Sequence, residues 1–182
     1  MNIFKPARDL FLLRQLSFDA VAFSRWQSII AISLIGLLTG FDPSMRASDP
    51  DMPPMPLTAA LMLGLLSVWI GFLTIIKFLK WWLKRGDRWD GQGDLLNLTT
   101  ASWLVADVLC AGLVVLGVLT IFTFPLWLFS MWVGANALHG AIPKVSIGYA
   151  IGGVVLSLIP AVVSVIIISS VVGGAMAIIG GA

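Results

Sequence analysis

The sequence predicts an all-α fold, a polytopic transmembrane helical bundle of about five spans. The first observation behind it is composition. Of the 182 residues, 59% are hydrophobic and 11% charged, and the mean hydropathy is +1.00. Water-soluble chains carry about 25% charged residues, and a domain this small could not bury so much apolar area in water. The second is the recurrence of apolar runs near span length, about 20 residues, divided by short segments rich in proline, glycine and charge. The third is the sorting of basic residues into alternate connections, as five crossings require.

Residues 1–20 read as a cytoplasmic N-terminal segment of mixed character. No small-residue cleavage pattern marks it as a signal peptide. A five-helix transmembrane domain follows over residues 21–172. Its first span runs from Trp26 to Phe41, extended at its start by Val21, Ala22 and Phe23. Arg25 interrupts this run and snorkels toward head groups, so the span is short. Asp42 and Pro43 end it, and a proline-rich loop continues to Pro56.

The second span, Leu57 to Ile76, is twenty residues without a charge. Beyond it Lys77, Lys80, Lys84, Arg85 and Arg88 alternate with Trp81, Trp82 and Trp89, the composition of a cytoplasmic membrane boundary. Glycines 86, 91 and 93 break the helix, and Asp94 is placed to cap a short segment leading into the next span. The third span covers Ala101 to Thr123 and contains Asp107. Pro125 suits the first turn of a new helix, and the fourth span, Leu126 to Ala141, carries Trp127, Trp132, Asn136 and His139. After Pro143 and Lys144 a fifth span runs from Val145 to Val172 with a kink expected at Pro160. Residues 173–182 form an apolar, glycine-rich tail.

With five spans, ten of the eleven basic residues fall on one side and only Arg46 on the other. The positive-inside rule makes the first side cytoplasmic, placing the N-terminus inside and the C-terminus outside, in a bacterial-type inner membrane.

Few residues carry chemistry. Asp107 is the one acid within a span. Such a group costs roughly 2.5 to 3.5 kcal/mol at a helix centre and often faces an ion or proton path; a structural role, pinning two helices, is the alternative. His139 is the single histidine and Cys110 the single cysteine, too few for the three or four ligands of a metal site. Cys110 reads as a small packing residue. Asn136 lies three residues before His139 on the same helix face, so Asp107, Asn136 and His139 form a candidate intramembrane polar cluster. Lys77, Lys80, Lys84, Arg85 and Arg88 are candidate lipid head-group contacts. Gly148 and Gly152 provide an i, i+4 ridge for close helix packing or for self-association. Gly91-Gln92-Gly93 lacks the lysine and hydroxyl residue of a phosphate-binding loop. The sequence offers no catalytic set, no cofactor site and no nucleic-acid partner.

From Trp127 the chain reads as an apolar span, the stretch Gly134 to Asn136, His139-Gly140, a short turn, Lys144 and a long apolar helix. With the glycine-bearing loop Arg85 to Gly93, this resembles the prokaryotic Yip family (Ypt/Rab-interacting-protein-like membrane proteins), over roughly residues 20 to 172. The resemblance implies a five-span fold with a cytoplasmic N-terminus and no catalytic residues. The functional expectation is a scaffold, assembly or accessory-subunit protein without its own catalysis, whose partners are membrane lipids and other membrane proteins or itself. The alternative is a small transporter or channel with a polar path through Asp107, Asn136 and His139.

Overall fold

A computed structural model of the chain describes residues 2–46 and 54–180, and what it describes is helical throughout, without strands. Residues 47–53 of the expected proline-rich loop and the last two of the tail lie outside the described residues. The helices are α1 (Phe4–Phe11), α2 (Arg25–Gly40), the one-turn α3 (Pro43–Arg46), α4 (Leu57–Arg85), α5 (Leu95–Val115), α6 (Phe124–Ala141) and α7 (Ile147–Gly180). The chain is a membrane protein: four helical segments, Leu57–Arg85, Leu95–Val115, Ile121–Ala141 and Ile147–Val172, are long and apolar enough to cross a bilayer. α2 is apolar but has only 16 residues, about 24 Å of rise, so the expected first span is the short one.

These five helices close into a ring. Each packs on two neighbours in the order α2, α4, α7, α6, α5 and back to α2, while α4 and α5 barely meet across the centre. The tightest crossing is α2 on α4. A Cβ built on Gly64 would lie 2.6 Å from the Gly36 carbonyl oxygen and 2.6 Å from the Gly40 nitrogen. Only hydrogen fits there, and the backbones meet as in small-residue membrane packing.

The basic segments gather at one end of the ring. Arg25 pairs with Asp94 at 2.6 Å, Arg88 donates to the Lys144 carbonyl at 3.1 Å, and Phe18 stacks on Trp89 with ring centroids 6.4 Å apart. Asp42 and the α5–α6 connection lie at the other end.

The third span ends at Val115 rather than Thr123, with Gly117 at a positive φ just beyond it, and other boundaries shift from the sequence reading, each for a physical reason. α4 runs nine residues past the charge-free span Leu57 to Ile76 and ends at Arg85, before the expected break at Gly86; over those turns Leu79 and Leu83 bury inward while Lys77, Lys80 and Lys84 point out. α5 starts at Leu95 rather than Ala101, since Asp94 caps the span itself, accepting from the Leu96 and Asn97 amides; its polar first turns are buried by α1, α2 and the segment joining them. α7 runs through Pro160 and carries the tail as helix to Gly180.

Residues 2–24 do not stand apart as a separate segment. α1 packs against α5 and α6, burying Ala7 and Leu10 and setting Phe11 edge-on to Phe129 at 5.3 Å. Asp9, almost buried, accepts from Arg8 and Arg14, each at 3.1 Å. Asn97 ties this segment down. Its amide donates to the Val21 and Phe23 carbonyls at 3.2 and 2.6 Å, and its oxygen accepts from Ser28 Oγ at 2.8 Å.

Candidate functional site

The ring leaves its axis open in the half toward Asp42, where a cavity of about 440 Å3 is lined by residues from all five helices. α2 contributes Ile35, Leu38 and Thr39; α4 contributes Val68, Phe72 and Ile75; α5 contributes Trp103, Asp107, Cys110 and Val114; α6 contributes Trp127, Ser130 and Met131; α7 contributes Leu158. Asp42 lines it at the end of the bundle. The floor is aromatic. Trp103 is buried, meets Phe72 edge-on at 5.6 Å and also bounds a much smaller void beneath, beside Thr99 and Ser102. Toward the basic end the axis is filled by Leu79, Leu83, Leu95 and Leu98, all at 1% exposure or less.

Most polar groups on the cavity wall are already engaged. Thr39 Oγ1 donates to the Ile35 carbonyl at 2.9 Å, Ser130 Oγ to the Trp127 carbonyl at 2.6 Å, and Trp103 Nε1 to the Ser130 carbonyl at 3.0 Å. The Cys110 thiol faces the Thr123 carbonyl at 3.9 Å, and Asp42 accepts from the Ser44 amide at 2.8 Å. Asp107 is different. It lies twelve residues from the start of α5, roughly 18 Å along the axis, half-buried among apolar side chains. Among the described residues it has neither a hydrogen-bond nor an ion-pair partner, and no Lys, Arg or His shares the cavity wall.

The structure does not bring Asp107, Asn136 and His139 together. Asn136 is five residues beyond Met131, the last α6 residue on the cavity wall, about 7.5 Å further along the helix, where its amide donates to the Leu13 carbonyl at 3.0 Å. His139 Nδ1 lies 2.7 Å from the Val145 carbonyl, closing the α6–α7 turn. Sequence reasoning grouped the three by rarity, but α5 and α6 run antiparallel, so positions late in α6 face the beginning of α5.

The basic residues have a clear arrangement. Lys77, Lys80, Lys84 and Arg85 are exposed on the last turns of α4. Spacing of three and four aligns Lys77, Lys80, Trp81 and Lys84 on one face, with the Arg85 guanidinium 5.1 Å over the Trp81 ring. Arg88, half-buried, sits 5.0 Å over Tyr149 instead and so belongs to the seam between α4 and α7. The glycine ridge of α7 splits as well: Gly152 and Gly153 face Trp82 of α4, while Gly148 meets nothing within 4 Å.

Three residues central to the architecture escaped the sequence reading: Asn97, Ser28 and Trp103. The only sequence signal was a run of polar residues, Asn97 to Thr100, beside a long apolar stretch. No protein-family model, curated protein or solved structure matches this chain.

Proposed function

We propose that the protein is a scaffold or accessory subunit of a membrane assembly, without catalysis of its own, in a bacterial-type inner membrane with its basic end in the cytoplasm. The observation that carries this reading is the connection between α5 and α6. In this uncharged turn Leu116 is 82% exposed, Leu119 67%, Ile121 69% and Phe122 70%. Turns at a span's end ordinarily face water and head groups; a projecting apolar one calls for a protein or lipid cover. The orientation is supported by the gathering of basic segments at one end, and kinship with the Yip family by the count of five apolar helices.

Mild-detergent purification followed by crosslinking from Leu119→Cys, in a Cys110→Ala background, tests it. A stoichiometric crosslinked membrane protein is expected, lost when Ile121→Asp and Phe122→Ser are introduced. A solitary species that carries solutes across liposomes would overturn the reading in favour of a transporter. That second reading draws on the axial cavity, but its path no longer includes Asn136 and His139, whose polar atoms bond to backbone at the other end.

A further inference from the structure

The axial cavity is more than a packing defect. Its volume, about 440 Å3, is in the range of small-molecule sites, about 300 to 1,000 Å3, and it combines an apolar, aromatic wall with one unengaged carboxyl group. A carboxylate in apolar surroundings lacks the solvation it would have in water and gains most from a cation brought to it. The chain supplies none there, so Asp107 either stays a neutral acid or takes its complementary charge from a ligand.

Chemistry narrows the class. A hard metal ion takes about six to eight oxygen ligands, or keeps its own waters. The wall offers the carboxyls of Asp107 and Asp42, the second already accepting from the Ser44 amide, and is otherwise mostly hydrocarbon and ring. An organic cation with a carbon body fits both halves of the lining: its nitrogen pairs with Asp107, and Phe72, Trp103 and Trp127 provide surfaces for apolar contact and cation–π attraction.

We infer that the axial cavity is a binding site for an amphiphilic organic cation, an amine or quaternary ammonium with an apolar body, held by Asp107 against the Trp103–Phe72 floor. The site does not depend on the accessory-subunit reading and would serve equally in a protein that senses, sequesters or carries its ligand. Such a cation could be a free amphiphile or a choline-type lipid head group; both share the ammonium chemistry.

The test uses the full chain in maltoside micelles and a brominated alkyltrimethylammonium that quenches tryptophan, with the brominated alcohol of equal chain length as neutral control. Saturable quenching by the cation, at concentrations at least tenfold below those where the alcohol acts, is expected, and Asp107→Asn should weaken it by a factor of ten or more. Asp19→Asn, an acid outside the cavity, should leave it unchanged. Equal quenching by cation and alcohol in the unaltered protein overturns the inference, as does unchanged affinity in a folded Asp107→Asn variant. The first comparison needs no variant and stands even if Asp107→Asn does not fold. Competition by phosphatidylcholine but not phosphatidylglycerol assigns the ligand to a lipid head group; binding without such competition assigns it to a free amphiphile.

Discussion

The Trp103 indole and Gly134 occupy one space between α5 and α6: a Cβ added to Gly134 would lie 2.6 Å from Trp103 Nε1, the atom that donates to the Ser130 carbonyl. The floor of the cavity therefore depends on a missing methyl group. Gly134→Ala should displace the indole and destabilise the bundle by about 1–3 kcal/mol, the usual cost of overpacking. Denaturant unfolding in mixed micelles measures the loss, and a shift in tryptophan emission should accompany it. Unchanged stability and emission would mean that the seam yields freely.

The α2–α4 crossing is held by close backbone approach, so Gly64→Leu should be worse than any single apolar exchange on the lipid-facing side. We expect failure to accumulate in the membrane, or a detergent-resistance midpoint well below that of Met62→Leu, a change at a residue that is 68% exposed. Equal behaviour of the two variants would refute the close crossing.

Asn97→Leu removes bonds to Val21, Phe23 and Ser28 together; the Val21 carbonyl keeps the Phe23 amide as a donor, and the Phe23 carbonyl loses the Asn97 amide. The expected cost is about 1–3 kcal/mol, with preferential release of the N-terminal segment. Trypsin should then cleave after Arg14 or Arg25 faster than in the parent while the spans stay intact. Parent-like cleavage would show that α1 is held by its apolar face alone.

Ser67 carries the buried side-chain oxygen that has no hydrogen-bond partner among the described residues. Ser67→Ala removes that unsatisfied group at little cost in volume, so stability should be unchanged or higher. A loss above about 1 kcal/mol, measured by unfolding in mixed micelles, would imply that the hydroxyl has a partner after all.

The exposed stripe on α4 should select lipids. Replacing Lys77, Lys80 and Lys84 by Gln is expected to reduce enrichment of anionic lipid around the protein by up to about fivefold per lysine, from about 1 kcal/mol each near such a surface. Native mass spectrometry of co-purified lipid reads this out. Arg88→Gln should matter less for lipid, because its guanidinium is engaged with Tyr149 and the Lys144 carbonyl.

What the residues disclosed in advance was the helical bundle and its four long apolar helices. Runs such as Leu57 to Ile76 have no other solvent than hydrocarbon, and the aspartate at position 94 marks a helix start by its chemistry. The site was half legible. Asp107 stands out because a charge within a span is rare, but its surroundings come from five helices far apart in the chain, and no local pattern encodes which faces of a ring turn inward. Asn136 and His139 looked equivalent to Asp107 in composition; antiparallel travel of α5 and α6 separates them by depth. The docking of α1 was hidden for a different reason. Asn97 bonds to backbone carbonyls 74 and 76 residues away, and carbonyls carry no sequence signature.

α2 rises about 24 Å and α7, with 34 residues, about 51 Å, yet only α4 stands between them in the ring. A hydrocarbon slab of about 30 Å matches neither. Lipids must thin beside the one, and the other must lean or stretch its surroundings, so the annulus around this protein is a wedge rather than a collar. Acyl chains of unequal length, or a neighbour of unequal height, would settle against different sides of the same molecule.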